Sequence, residues 1–185
     1  DSASFRLYPR GFTNIADWRR DNVNLMVAQV QDSLQNVDPS IKWGVSPFGI
    51  WRNGVPSGIS GLDSYATIFA DARAWLDAQT VDYLAPQTYW AFGGGQDFGR
   101  LAPWWGSVRN DRHIYPGLGL YRSDNNTYSG ALFSPTEIPR QIRLTRDDAN
   151  LGGHVLFRAK NVTVYQSRGF RDSLETDLYR RAALT

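Results

Sequence analysis

Ten side chains that could bind a ligand by hydrogen bonding or ring stacking follow the four strand-like segments of this chain. Together they offer hydroxyl, amide and guanidinium groups beside flat aromatic faces, a combination suited to hydroxyls, amides and sugar rings. The alternative is that half of the aromatic members simply pack against each other at the strand ends. The ten residues are Ser46, Phe48, Trp51, Arg52, Gln87, Tyr89, Trp90, Tyr121, Arg122 and Arg158.

The elements that would position these side chains alternate between strand-like and helix-like segments. Because strands that alternate with helices form parallel sheets with helical crossovers, the predicted fold class is α/β. The pattern alone leaves open half of a (β/α)₈ barrel or an open doubly wound sheet. Strands are predicted at 41–48, 81–90, 113–121 and 153–160, and helices at 14–37, 64–78, 98–108 (broken by Pro103), 134–150 and 169–183.

The first of these helices has both a start signal and an apolar stripe. Thr13 or Asn14 can cap its first turn, since short polar side chains accept hydrogen bonds from the free N–H groups of that turn. Mostly apolar residues recur at steps of three and four on one side of this helix, which predicts its buried face. These residues are Trp18, Asn22, Leu25, Met26, Gln29, Val30, Leu34 and Val37.

Composition excludes several classes of function. The formal charge of +2 comes from 20 basic and 18 acidic residues without a basic run, so we expect no nucleic acid partner. The absence of cysteine excludes disulfides and thiolate metal sites, and His113 and His154 are too isolated to form a metal site. Gly93 to Gly95 lack the Lys-Ser/Thr signature of a phosphate loop. We therefore expect no metal and no cofactor.

Five blocks of sequence resemble, in the same order, consecutive blocks of the family-10-like glycosyl hydrolases of the bacterial cell envelope. They cover nearly the whole chain, which makes the resemblance more specific than any single short motif. The blocks are ADWRRDNVN (16–24), WGVSPFGIWRN (43–53), GLDSYATIFADARAWL (61–76), VDYLAPQTYW (81–90) and HIYPGLGLYR (113–122).

This resemblance implies a TIM barrel in which residues 1–185 form one partial domain, the C-terminal half with strands 5 to 8. Barrel enzymes carry their chemistry at the carboxyl ends of the strands, where the ten candidate residues would form the substrate-binding wall. The Asp-rich motif that the family carries at the end of strand 4 is absent from this chain, so catalysis by this chain alone is in doubt.

The carboxyl groups of the chain give no obvious catalytic pair, although glycoside hydrolysis usually requires two. Glu137 is expected to complete a capping box with Ser134 at a helix start, and Glu175 lies in the last helix. Asp97 and Asp124 follow strands and are the best local candidates, but each is more often a turn residue. The catalytic residues therefore remain unassigned, and the acids are expected in the other half.

The resemblance further implies a secreted or cell-envelope protein that acts on a cell-wall glycan such as the glycan strands of peptidoglycan. Its expected partners are that glycan, the missing N-terminal half of the barrel and other envelope proteins. One alternative is a non-catalytic structural or wall-binding protein with a degenerate barrel. Another is a self-standing half barrel that dimerises through its open sheet edges.

Overall fold

Helices and short parallel strands alternate along the part of the chain that this computed structural model describes, residues 1–124, 128–164 and 170–181. This confirms the predicted α/β class. The strands are β1 (Gly44–Val45), β2 (Tyr83–Leu84), β3 (His113–Ile114), β4 (Gly117–Leu118) and β5 (Val155–Leu156). The helices are α1 (Ser2–Leu7), α2 (Ile15–Val37), α3 (Ser64–Thr67), α4 (Ala72–Asp77), α5 (Phe98–Ser107), α6 (Glu137–Asp147), α7 (Lys160–Thr163) and α8 (Phe170–Ser173), which continues as a π-helical turn at Leu174–Leu178.

The strands pair in parallel and in sequence order, β1 with β2, β2 with β3, and β4 with β5. Each is shorter than its predicted segment, but hydrogen bonds beyond the strands, such as Gln87 N to Pro47 O at 2.9 Å, continue the pairing. β3 and β4 divide the third predicted strand at Pro116. Since proline has no N–H to donate, the regular ladder is interrupted there.

Helix α2 begins where the sequence indicates, because the side chain of Asn14 accepts a hydrogen bond from Ala16 N at 2.7 Å. The predicted buried face of this helix is confirmed at Trp18 but wrong at Leu25, Met26 and Val37. Leu25 and Met26 are exposed, and Val37 is 81% exposed, whereas Trp18 and Val27 are buried. The helix instead faces α4, where polar contacts such as Trp75 Nε1 to Asn24 Oδ1 at 2.7 Å replace part of the expected apolar contact.

The helix predicted at 64–78 is two helices, α3 and α4, separated by Phe69 with a left-handed φ of 58°. Each has its own cap, because Asp63 accepts from Ala66 N at 2.8 Å and Asp71 accepts from Ala74 N at 3.2 Å. The second cap allows the chain to start a new helix after the turn.

Helix α5 runs through Pro103, so the predicted break at that proline is wrong. Helix α6 begins at Glu137 without a side-chain cap, which also contradicts the predicted capping box. The last helix agrees with the prediction from Phe170 onward, and the predicted ends of that helix, at 169 and 183, lie outside the described residues. None of the helices within the described ranges combines the length and apolarity needed to cross a bilayer.

The strands form a three-stranded sheet, β1-β2-β3, and a two-stranded sheet, β4-β5, joined by bonds such as Gly117 N to Pro86 O at 2.8 Å. The core lies between one face of this joined sheet and the helices α4, α5 and α6. Alternate residues of the strands and the inner faces of these helices fill it, and their side chains are fully buried. The largest members are Trp105, Phe98, Leu76, Leu84, Ile114, Leu118, Ile138 and Ile142. The opposite face of the sheet is open, with Phe48, Val155 and Phe157 each more than 40% exposed.

Asp82 holds the amino ends of three neighbouring strands together. It is 8% exposed, and its Oδ2 accepts a hydrogen bond from Trp43 N at 3.0 Å. Lys42 and Arg112 each place a charged nitrogen 3.8 Å from Oδ1. The carboxylate therefore neutralises the charges of Lys42 and Arg112 and accepts a hydrogen bond from the backbone of Trp43, so it bonds to both flanking segments.

Replacing Asp82 with Ala should lower the free energy of unfolding by about 2 kcal/mol, because a part-buried donor and two cations lose their acceptor. Urea denaturation measures the loss. Asp77→Ala is the matched control, since Asp77 is 58% exposed in its pair with Arg73. Equal stability of the Asp82→Ala and Asp77→Ala variants would contradict this role.

His154, just before β5, ties the end of α6 to the C-terminal helical segment. Its Nδ1 lies 3.1 Å from the hydroxyl oxygen of Thr145, and its Nε2 is hydrogen-bonded to the hydroxyl of Tyr179. Burial, with the nearby charge of Arg146, lowers the pKa of His154 from 6.5 to about 4. The ring is therefore neutral in the folded protein at neutral pH.

This lowered pKa predicts acid sensitivity. Between pH 6.5 and about 4 the unfolded chain binds one more proton at this ring than the folded chain does, so stability should fall as the pH is lowered through that window. Urea denaturation at a series of pH values measures the slope. His154→Gln should flatten it, and an unchanged slope in that variant would exclude this origin.

Candidate functional site

The open face of the sheet gathers predicted site residues at the carboxyl ends of the strands. Phe48 and Gln87 lie opposite each other in a parallel bridge beyond β1 and β2. Because side chains alternate between the two faces of a strand, Ser46 shares this face with Phe48, and Tyr89 shares it with Gln87. Phe48 is 42% exposed, so the face is accessible to a ligand.

Three aromatic rings form the centre of this face, and we call Tyr89, Tyr121 and Phe157 the aromatic platform. Tyr89 and Phe157 are stacked with centroids 5.2 Å apart and an interplanar angle of 23°. Tyr121 stands perpendicular to both, at 5.9 Å from Tyr89 and 6.0 Å from Phe157. The platform thus unites side chains that follow β2, β4 and β5.

Glycines of the neighbouring strand make room for the ring of Tyr89. A Cβ at Gly117 would lie 2.9 Å from Cε1 of Tyr89 and 3.0 Å from the oxygen of Pro86. A Cβ at Gly119 would lie 3.1 Å from the Cβ of Tyr89. The Tyr89 ring therefore reaches across this strand toward Phe157 because the strand presents no side chains there.

Both tyrosines of the platform are neutral hydrogen-bonding groups. Burial, with a smaller effect of Tyr121, raises the pKa of Tyr89 above its usual value of 10.0. Burial likewise raises the pKa of Tyr121, against the lowering effect of Arg122. The two hydroxyls stay protonated at neutral pH, so they can donate to a ligand oxygen but do not supply a base.

Ser46 and Gln87 are held beside the platform by bonds between their strands. Ser46 Oγ donates to Ala85 O at 2.8 Å, and Gln87 Nε2 donates to Ser46 O at 3.0 Å. These bonds fix the orientation of a hydroxyl and an amide on the open face. A polar ligand at the strand ends would meet groups that are already oriented.

Two of the three predicted arginines, Arg122 and Arg158, differ in their surroundings. Arg122 donates from Nη1 to Tyr89 O at 2.8 Å and lies over the rings of Tyr128 and Phe133. It therefore holds the loop that bears Tyr89. Arg158 is exposed and directly follows Phe157, at the edge of the platform.

Trp51 and Arg52 lie in a separate cluster. The Trp51 ring is stacked on Trp104 with an interplanar angle of 17°, and its Nε1 donates to Asp71 Oδ1 at 2.9 Å. The Arg52 guanidinium lies 4.6 Å from the ring centroid of Tyr65. Contacts within the protein occupy these groups, and their part in ligand binding stays a prediction.

Trp90 packs on the other side of its strand from Tyr89. It contacts the small apolar cluster of Ile50, Ile59 and Leu101 and remains partly exposed. Its ring also lies close to Gly49, where a Cβ would come within 2.8 Å of Cζ3 of Trp90. The structure therefore brings Gln87 and Tyr89 to the open face but places Trp90 on the opposite side of its strand.

The acidic residues singled out from the sequence have structural partners. Asp97 caps α5 by accepting from Gly99 N at 2.8 Å and also accepts from Gly93 N at 2.9 Å. Asp124 is 3% exposed, and Glu137 is 5% exposed. Within the described ranges, no three His, Cys, Asp or Glu side chains cluster in a way that could hold a metal ion.

Phe157 is the platform residue that the sequence reasoning missed. In the segment HVLFRAK, the sequence prediction selects the charged residue Arg158 and not Phe157. The alternation of side chains along β5 would have identified Phe157, since it lies two residues after Val155 and shares its face. Both side chains are exposed on the open face, at 44% and 46%.

Comparison of the sequence with known proteins confirms the resemblance to glycosyl hydrolases. The family described as glycosyl hydrolase-like 10 matches residues 1–130. Glycosyl hydrolase YngK of Bacillus subtilis (strain 168) is 38% identical over 193 residues, covering 100% of this chain. Glycosyl hydrolase DigH of Escherichia coli (strain K12) is 30% identical over 172 residues, covering 85% of this chain. The chain spans 38% of the length of either relative.

Replacing Gly117 with Ala should displace the Tyr89 ring, because the new methyl would lie within 3.0 Å of the ring and of the Pro86 oxygen. The ring protons of Tyr89, assigned with a Tyr89→Phe variant, should shift in NMR spectra as their stacking on Phe157 changes. The ring signals of Tyr8, an exposed tyrosine elsewhere, serve as the internal control. Unchanged Tyr89 signals would show that Gly117 does not set the ring position.

Proposed function

Because the chain belongs to the glycosyl hydrolase-like 10 family, we propose that it forms the sugar-binding wall of a glycoside hydrolase that acts on a bacterial cell-wall glycan. The observation that carries this proposal is the aromatic platform at the carboxyl ends of the strands. Flat, partly exposed rings bordered by oriented hydroxyl and amide groups suit the apolar faces and polar edges of sugar rings.

The proposed architecture is the C-terminal half of a (β/α)₈ barrel. The parallel pairing in sequence order, the helices packed on one face and the exposed opposite face support this assignment. In this arrangement the open face becomes the barrel interior, where Val155 would be covered, and side chains at the carboxyl ends of the strands, such as Phe48, line its mouth. The remaining strands come from the rest of the protein, since the chain spans 38% of the length of its relatives.

In the proposed reaction this chain binds and orients the glycan. The platform holds a sugar ring, and Gln87 and the tyrosine hydroxyls bond to its polar groups. The two carboxyl groups that protonate the leaving oxygen and activate the nucleophile are assigned to the other half of the barrel. The chain thus lowers the entropic cost of reaction by fixing the position of the bond that is cleaved.

A cell-wall substrate implies a secreted or cell-envelope protein. The glycan strands of peptidoglycan are the proposed substrate because the sequence blocks resemble envelope enzymes of this family. Its proposed partners are the glycan, the N-terminal half of the barrel and other envelope proteins.

A non-catalytic wall-binding protein is the second candidate. The observation that favours it is that Asp97 and Glu137 have structural partners and therefore offer this half no evident catalytic acid. Incubating the full-length protein with purified glycan strands separates the two, because hydrolysis releases new reducing ends. Binding without such release would support the wall-binding protein over the hydrolase.

Replacing Tyr89 or Phe157 with Ala should weaken glycan binding about tenfold each, through loss of ring contact worth about 1.4 kcal/mol. Gln87→Ala should weaken it as well through the loss of an oriented donor. Isothermal titration with purified glycan strands measures the Kd values. Tyr8→Ala is the matched control, since Tyr8 is 69% exposed outside the platform. Unchanged affinity in both ring variants would overturn the proposed binding surface.

A further inference from the structure

The loop of residues 89–92, which follows β2, is held at three backbone groups by side chains from one later stretch of the chain. Arg122 Nη1 donates to Tyr89 O at 2.8 Å, and Gln141 Nε2 donates to Trp90 O at 2.9 Å. The N–H of Phe92 donates to Glu137 Oε1, also at 2.9 Å. Side chains that lie 33 to 51 residues away in sequence thus fix this loop.

Glu137 and Gln141 are buried and bonded to each other. Gln141 is 0% exposed and Glu137 is 5% exposed, and Gln141 Nε2 also donates to Glu137 Oε1 at 2.9 Å. Arg140 Nη1, 3.9 Å from Oε2, supplies a positive charge beside the carboxylate. Because a buried carboxylate costs free energy unless it is hydrogen-bonded, its partners show what it is positioned to hold.

Capping of its own helix does not explain Glu137. No side-chain cap is formed at the start of α6, and the backbone N–H of Glu137 bonds to Ser134 O at 3.1 Å. The carboxylate turns instead toward the 89–92 loop. Gln141, one turn later on the same face of α6, directs its donor to the same loop.

We propose that Glu137 and Gln141 are positioning residues that fix the 89–92 loop, so that Tyr89 is oriented before a sugar binds. This inference rests on the proposed function. A loop that is already ordered loses less conformational entropy on binding, so the two buried side chains act on affinity without touching the ligand. Gln141 and Glu137 therefore connect the packing of α6 to the platform.

The variants distinguish the effect of the hydrogen bonds from the effects of the Glu137 charge and of the Gln141 side-chain volume. Glu137→Ala removes the acceptor for Phe92 N and for Gln141. Glu137→Gln keeps a carbonyl oxygen at that place, and Gln141→Met keeps the volume but removes the donor to Trp90 O. Glu175→Ala is the matched control, because Glu175 is exposed and paired with Arg171 on the last helical segment.

Two readouts on the full-length protein test the proposal, both taken below the midpoint of thermal unfolding. The first is the NMR signal of the Trp90 indole N–H, assigned with a Trp90→Phe variant. The second is the Kd for a β-1,4-linked N-acetylglucosamine tetramer. We expect Glu137→Ala and Gln141→Met to shift or broaden the Trp90 signal and to raise the Kd roughly tenfold, while Glu137→Gln and Glu175→Ala stay within about twofold of the wild type.

General destabilisation is distinguished with Asp82→Ala, which weakens the fold at the opposite end of the sheet. If its Kd rises as far as that of Glu137→Ala, affinity follows stability and the proposal is overturned. An unchanged Trp90 signal and Kd in Glu137→Ala overturn it as well. If the wild-type protein does not bind the tetramer, sugar binding in the proposed function fails. The Trp90 signal then decides alone whether the two side chains fix the loop, and an unchanged signal refutes it.

Discussion

The segment from Val81 to Gln87 is hydrogen-bonded along both of its edges, and the rest of the structure depends on this double pairing. On one edge its N–H groups donate to Trp43 O, Val45 O and Pro47 O, and on the other its carbonyls accept from the segment that contains β3. Parallel pairing on both edges fixes which side chains face the helices and which face outward. Leu84 is thereby buried in the core, while Gln87 and Tyr89 reach the open face. Asp82 at one end and the aromatic platform at the other are consequences of the same register.

Much of the fold follows from local signals in the sequence. The alternation of elements predicts the α/β class, and Asn14 marks the start of α2 because capping is a local interaction. The errors arise where distant contacts decide. Phe69 adopts a left-handed conformation between two caps, and Leu25 is exposed because α2 turns a more polar side toward α4. Neither outcome can be derived from the periodicity of one segment.

The sequence predicts the site residues from their type and from their position near the end of a strand. Neither property reveals which face of the sheet a side chain lies on. Gln87 and Tyr89 reach the open face, whereas Trp51 and Trp90 pack into clusters behind it. Only the register of the strands determines which of these side chains reaches the open face. Glu137 shows the same limit, because a glutamate at a helix start is usually explained by that helix, and its bond to Phe92 joins residues 45 apart. Such a bond can be recognised only when the positions of both segments in the fold are known.

Because Tyr89 and Gly117 approach closely, the side chains at these two positions of neighbouring strands compete for the same space. The ring fills the space that a side chain at 117 would occupy, so the two positions cannot vary independently. Substitutions at the two positions should therefore be strongly non-additive: a larger residue at 117 is tolerated only when 89 becomes smaller. The position of the ring at 89, and with it the shape of the aromatic platform, therefore depends on the residue at 117 of the neighbouring strand. Any redesign of the ring at this surface has to treat 89 and 117 as one unit.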